Sequence, residues 1–326
     1  MVYNQNMENV SLRDELIKVA KLYYHGNRTQ DEIAQIMGCS RPRVSRILSL
    51  ARELKIVEFK IVESVIETER MEKQLKKLLG LKDIRILPSE SGRLGTMYAA
   101  GASAGEYLNR ILRPDMRIGI AWGATMDALV SQLEADRQFK TIKIVQMIGG
   151  APTSSFNIDS SKLTVRLANK LGASYSVLQA PQYVSSKAVR DVLMNEPEIK
   201  AHFKLLKKLD AALIGISSTI PEHSAAYRAG YISIDEAKSL AERGFVTDVS
   251  GIRIYKDGSI LPNETNDRLI AIAPEDLRRI PIVIAVAVGE DKAETIMAAA
   301  KGRFFNVLIT DEIAAITILS KPEPKG

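Results

Sequence analysis

From residue 84 to the C-terminus, short apolar runs alternate with longer amphipathic ones, and no other feature limits the possible folds as tightly. The candidate strands are IRILP, MRIGIAWG, KIVQMIGG, SYSVLQA, LDAALIGIS, GIRIYKDGSIL, PIVIAVAVG and NVLITD. Several are almost continuously apolar, the pattern of strands covered on both faces. Helical stretches such as LGTMYAAGASAGEYLNRIL and DKAETIMAAAKG lie between many of them. That order predicts an α/β, Rossmann-like domain built on a mostly parallel sheet with right-handed crossovers. With 326 residues, 46% of them hydrophobic, the chain has room for this domain and one smaller one.

The smaller one precedes it. Residues 12–24, LRDELIKVAKLYY, carry apolar positions at helical spacing. Thr29 with Glu32 forms a capping-box pattern that opens a second helix, whose stripe is Ile33, Ala34, Ile36 and Met37 and which Gly38 closes. Ser40 is placed to cap a third helix, with Pro42 in its first turn. Residues 56–62, IVEFKIV, alternate as a short strand or wing. The order is that of a winged helix-turn-helix over residues 1–62. In TERMEKQLKKLLG, Met71, Leu75, Leu78 and Leu79 share one face, giving a linker helix within 63–82 that packs on its own domain or on a partner chain. Residues 83–326 form the large domain.

The third helix places arginines in its first turns, where the helix dipole disfavours positive charge. On a helical wheel Val44, Ile47, Leu48 and Ala51 converge, whereas Pro42, Ser45, Arg46 and Ser49 lie opposite with Arg43 to one side. An apolar back and a short cationic front suit a helix that enters a major groove. Arg43 and Arg46 have the fork for guanine edges, and Arg41 at the helix start suits phosphate. Thr29 and Gln30 begin the preceding helix and can offer donors to phosphate, while Ser40 and Ser45 complete the polar front. A solvated basic face would explain one such helix; the capped pair, tight turn and cationic front together point to double-stranded DNA. A net charge of +6 is compatible with that partner.

In the large domain four loops follow strands with glycine and hydroxyl residues. They hold Gly123-Ala124-Thr125, Gly149-Gly150, Gly215 with Ser217 and Ser218, and Gly289 followed by Lys292. Ligands of open α/β sheets bind outside the carboxyl ends of the strands, where these loops would gather. Donor-rich loops and a lysine suggest a phosphorylated small molecule. Trp122 is either a lid or a core filler. His25, His202 and His223 are scattered and no metal-ligand spacing occurs, so neither metal nor cofactor is expected. The single cysteine, Cys39, excludes an internal disulfide. Without an apolar leader in MVYNQNMENVSLRDEL or a run long enough for a membrane span, a cytoplasmic protein is expected.

The stretches RTQDEIAQIMGCSRPRVSRIL, IGIAWGATM, GYISIDEAKSLAERGFVTDVSG, VGEDKAETIMAAAKG and NVLITDEIAA, in that order, resemble the SorC family of sugar-responsive bacterial transcription regulators. The resemblance runs from about residue 14 to 320. It implies an N-terminal helix-turn-helix joined to an effector domain similar in fold to sugar-phosphate isomerases, assembly as a tetramer, and response to a phosphorylated sugar. A dimer or tetramer presents its recognition helices at fixed spacing, so a roughly palindromic operator is expected. Carried over by residue, the effector positions are Gly123, Ala124, Thr125, Gly149, Gly150, Gly215, Ser217, Asp248 and Lys292. The chain departs from the family at GFVTDVSG, where many relatives read Gly-Ala-Val-Gly-Asp, so Val246-Thr247 narrows or re-aims the approach to Asp248. A regulator whose operator affinity follows a phosphorylated sugar is the leading expectation. The alternative is a sugar-phosphate isomerase or aldol-type enzyme with an accessory DNA-binding domain, using Asp248 as base and Lys292 as electrophile or amine nucleophile. Scattered histidines speak against it.

Overall fold

A computed structural model describes residues 13–26, 28–54, 56–57, 64–90, 92–150, 159–228, 230 and 232–321. The chain divides into two compact units, Met1–Ser64 and Val65–Gly326.

In the first unit, helix α1 covers residues 13–20 and runs into a π-helical turn at Lys21–His25. Helices α2 (Gln30–Met37) and α3 (Arg41–Glu53) follow. Thr29 accepts from the Glu32 amide and Glu32 bonds back to the Thr29 amide, so the expected capping box is present. Gly38 ends α2 in the left-handed conformation. Ser40 stands at the N-cap of α3, yet its side chain makes no capping bond; Pro42 in the first turn already removes one orphan donor. Leu16, Val19, Ile33, Val44, Ile47, Leu48 and Ala51 close a small core, with Ile56 and Val57 packed against it. Most of the wing expected at 56–62 lies outside the described residues.

The second unit begins with helix α4 (Ser64–Leu79), whose Leu75 is fully buried in the main core while Leu78 remains exposed. The strands are β1 (Asp83–Leu87), β2 (Arg117–Ile120), β3 (Lys143–Gln146), β4 (Ser174–Ser176), β5 (Ala211–Gly215), β6 (Ser217–Ser218), β7 (Phe245–Val249), β8 (Ile252–Tyr255), β9 (Ile282–Val286) and β10 (Val307–Asp311). Helices α5 (Arg93–Ile111), α6 (Ala124–Gln132) and α7 (Ser160–Leu171) connect the early strands. Seven strands form a sheet in the order β1-β10-β9-β5-β2-β3-β4, every neighbouring pair parallel.

The apolar runs follow from burial on both faces. Along β5, Ala212 and Ile214 enter one core cluster while Ala211 and Leu213 enter the other; β9 and β10 alternate likewise. The segment GIRIYKDGSIL departs from the expectation. Its strand, β8, pairs antiparallel with β7, which pairs antiparallel with β6, in a separate three-stranded sheet. SYSVLQA supplies only the short edge strand β4.

The chain winds outward from β2 through β3 to β4, then returns to β5 on the other side of β2 and proceeds to β9 and β10. Strands β2 and β5 therefore flank the switch point of the sheet, where their following loops diverge and leave a crevice.

Candidate functional site

On α3 the side chains of Val44, Ile47, Leu48 and Ala51 are buried, while Arg41, Pro42, Arg43, Ser45 and Arg46 are exposed. The division is that read from the wheel. Arg43 donates to Glu15 at 3.0 Å, and Arg41 lies 3.7 Å from Asp31. Both are exposed ion pairs of the kind that exchange readily for other anions. Arg46 has no ion-pair partner among the described residues. Thr29 and Gln30 stand at the start of α2, with the Thr29 hydroxyl held by Glu32.

At the β2–β5 crevice a cavity is lined by Gly123, Ala124 and Thr125 after β2, and by Gly215 and Ser217 around the end of β5. Asp248 from β7 and Lys292 after β9 complete the expected group. Gly123 precedes α6 with φ +127°, a conformation that L side chains avoid. The first-turn amides of any helix lack intrahelical acceptors; in α6 no side chain caps them, and its first residues, Ala124 and Thr125, line the crevice. Gly215 is required by close approach: a Cβ there would stand 2.9 Å from Thr125 Oγ1. Trp122 lines the cavity and packs against both core clusters, which is the core-filling alternative of the two given for it.

The charges are unevenly distributed. Arg93, Arg228 and Lys292 all line the cavity. Asp248 is the acidic lining residue, and its carboxylate is neutralised by the fully buried Arg253, with the Gly251 amide donating to its second oxygen at 2.9 Å. Lys292 is 7% exposed. Burial pushes its ammonium pKa down to about 8, against the pull of the Asp291 carboxylate, while Arg93 and Arg228 add to the downward push. Among the described residues, three cations from separate elements and a helix N-terminus therefore line one cavity with a single, compensated carboxylate.

Gly149 and Gly150 do not join them. The Gly149 amide donates to the Ile270 carbonyl and the Gly150 amide to the Ala180 carbonyl. A Cβ at Gly149 would come within 2.4 Å of the Pro181 carbonyl oxygen, so backbone packing accounts for that glycine. Among the described residues no cluster of three or more His, Cys, Asp or Glu is arranged to hold a metal ion. His202 is a core residue bonded to Ser176 and Gln146, and burial lowers its pKa.

Comparison with known proteins bears on both units. Residues 11–53 match the family "Sigma-70, region 4", and residues 63–320 match the family described as "Putative sugar-binding domain". The transcriptional regulator LsrR of Escherichia coli K12 is 30% identical over 314 residues, covering 94% of each chain. The chain belongs to the SorC-type family of sugar-binding transcriptional regulators. The sorbitol operon regulator of Klebsiella pneumoniae is 29% identical over 321 residues, covering 97% of this chain and 99% of its own. The crystal structure of the full-length sorbitol operon regulator SorC from the same organism aligns with a TM-score of 0.74 at 28% identity, over 95% of this chain and 99% of that one. These relatives are transcription regulators, not enzymes, and Asp248, locked to Arg253, is no free base.

Two charged cavity residues of the regulator escaped the sequence reading. Arg93 opens α5 and Arg228 ends the short helix Ala225–Arg228. Arg93 does follow a strand and a glycine, Gly92 after β1, a signal of the same kind as Gly123 before α6, whereas Arg228 has no such mark. Only the crossing of β1 to β2 and the placement of the β6–β7 connection bring them to the crevice.

Proposed function

We propose that the regulator binds a phosphorylated sugar in the β2–β5 crevice and that occupancy of this cavity alters its affinity for an operator read by α3. The observation that carries this reading is the convergence of Arg93, Arg228 and Lys292 on the N-terminus of α6 at the switch point of the sheet. A phosphate dianion would receive the first-turn amides at Ala124 and Thr125, with the Thr125 and Ser217 hydroxyls as further donors. Apolar walls from Ile216, Ala287 and Val288 exclude water from one side. The ligand acts by binding DNA-competent and DNA-incompetent forms unequally. On this reading residues 1–62 bind DNA, 63–82 link, and 83–326 sense the effector and assemble copies of a cytoplasmic regulator. A dimer or tetramer presents its α3 helices at fixed spacing, so the operator is roughly palindromic.

A thermal-shift screen of the full chain across phosphorylated sugars tests the ligand class, because selective binding to the folded state raises apparent stability. A rise with one or a few sugar phosphates, and none with the matching free sugars, is expected. Equal response to free sugars would refute the phosphate assignment. Lys292→Ala should weaken the effector by about tenfold, the loss of one charge-assisted contact, while leaving ligand-free operator binding unchanged. The pH dependence has a definite sign. Lys292 is charged below about 8 and neutral above it, so effector affinity in the wild type falls as pH rises through that value. The fall is absent from Lys292→Ala. Titration calorimetry between pH 7 and 9.5 reads both effects.

A further inference from the structure

Asp291 lies outside the cavity lining and faces an adjoining cleft with Ser89, Glu90 and Asp311, yet it engages the cavity's cations. Arg93 grips it with both terminal nitrogens, at 3.0 and 3.1 Å. Lys292 Nζ lies 3.7 Å from the same carboxylate, and His223 Nδ1 lies 3.6 Å away. These partners come from the start of α5, the turn after β9, and the turn that leads from β6 to the helix bearing Arg228. Burial opposes ionisation of Asp291, but the Arg93 hydrogen bonds, with Lys292 beside them, hold its carboxyl below the usual carboxylate range. The turn is shaped around this group: a Cβ at Gly289 would stand 2.9 Å from Asp291 Oδ1.

We propose that Asp291 is a built-in competitor for the effector's anionic group, occupying Arg93 and Lys292 until a ligand with enough additional contacts displaces it. The inference rests on the reading of the cavity as an anion site. The guanidinium fork of Arg93 is planar and its bidentate face is committed to one carboxylate, so an incoming phosphate must take that face or settle for a poorer one. A bare phosphate ion brings only the contacts of its own oxygens. A phosphorylated sugar adds hydroxyl and ring contacts across the cavity. Asp291 therefore penalises both alike. The ratio of their affinities is unchanged, but the contact-poor ion falls below appreciable occupancy first, so Asp291 sets an affinity threshold and is not a ligand contact.

Inorganic phosphate titrated into the full chain tests this. Asp291→Asn, which keeps the shape and removes the charge, is expected to bind phosphate at least about fivefold more tightly than wild type, a modest coupling between neighbouring groups. In an Arg93→Gln background the same substitution should lose most of that gain, because the contested donor is gone. Asp291→Ser carries the same expectation should the asparagine variant fold poorly. A merely structural role would have the opposite sign, since damage to the turn weakens binding in both backgrounds. Equal or weaker phosphate binding by Asp291→Asn, while a sugar phosphate still stabilises the wild type, overturns the competitor role alone. Failure of every anion to bind wild type and variants alike overturns the cavity assignment with it.

Discussion

Replacing Arg253 with methionine is expected to destabilise the folded effector domain by about 3–5 kcal/mol, the usual cost of removing one partner from a buried ion pair. Arg253 has no exposed side-chain surface, and its guanidinium donates to the Asp248 carboxylate and, at 3.3 Å, to the Tyr183 hydroxyl. Tyr183 in turn donates to the Gly251 carbonyl at 3.2 Å, and the Arg253 amide donates to Asn266 Oδ1 at 3.0 Å. The pair thus ties β7 and β8 to Tyr183 and to the short helix Glu264–Asp267 that bears Asn266. Methionine fills much of the arginine volume but strands the carboxylate. The double variant Asp248→Leu/Arg253→Met should recover a good part of the loss, because an apolar pair of similar size removes the uncompensated charge. Urea denaturation of the three proteins measures this. A single variant as stable as wild type would show that Asp248 and Arg253 do not depend on each other.

Arg46→Ala is expected to weaken specific operator binding by about 1–3 kcal/mol, the value of a bidentate base contact, and to relax the preference at the base it reads. Of Arg41, Arg43 and Arg46 at the start of α3, it is the one with no ion-pair partner among the described residues, so it reaches a groove without first giving up an anion. Arg43 must leave Glu15, which predicts a smaller net loss for Arg43→Ala. Arg41, at the dipole-disfavoured start of the helix, should behave as a phosphate contact. Its removal lowers affinity for all sequences and flattens the salt dependence. Arg46→Lys should not rescue, because an ammonium lacks the fork. Competition binding on operator and scrambled duplexes separates these cases; an unchanged operator-to-scrambled ratio in Arg46→Ala would remove Arg46 from base reading.

Much of this architecture is legible in the residues because burial leaves simple traces. Strands such as β5, β9 and β10 are apolar on both faces, and the Thr29–Glu32 box and Gly38 mark the ends of α2 directly. The small antiparallel sheet is harder to see. Thr247 and Asp248 are polar yet buried, each with a partner across the sheet or along it, so the alternation that would announce β7 is broken, and GIRIYKDGSIL reveals the strand β8 but not its antiparallel pairing. Glycines mislead in the opposite direction: Gly123 and Gly149 both follow strands, but the first opens a helix toward a cavity and the second makes room for Pro181. Arg93, Arg228 and Asp291 are legible only in three dimensions, because their roles depend on which loops the winding of the sheet brings together.

The linkage between cavity and operator is tested most directly by operator affinity, measured for wild type and Lys292→Ala with and without the sugar phosphate that best stabilises the wild type. The two proteins should bind the operator equally without ligand. Saturating ligand should then change the wild-type affinity by about fivefold or more, and the same concentration should leave Lys292→Ala far less affected. A wild-type operator affinity that does not move at saturating ligand would contradict the account.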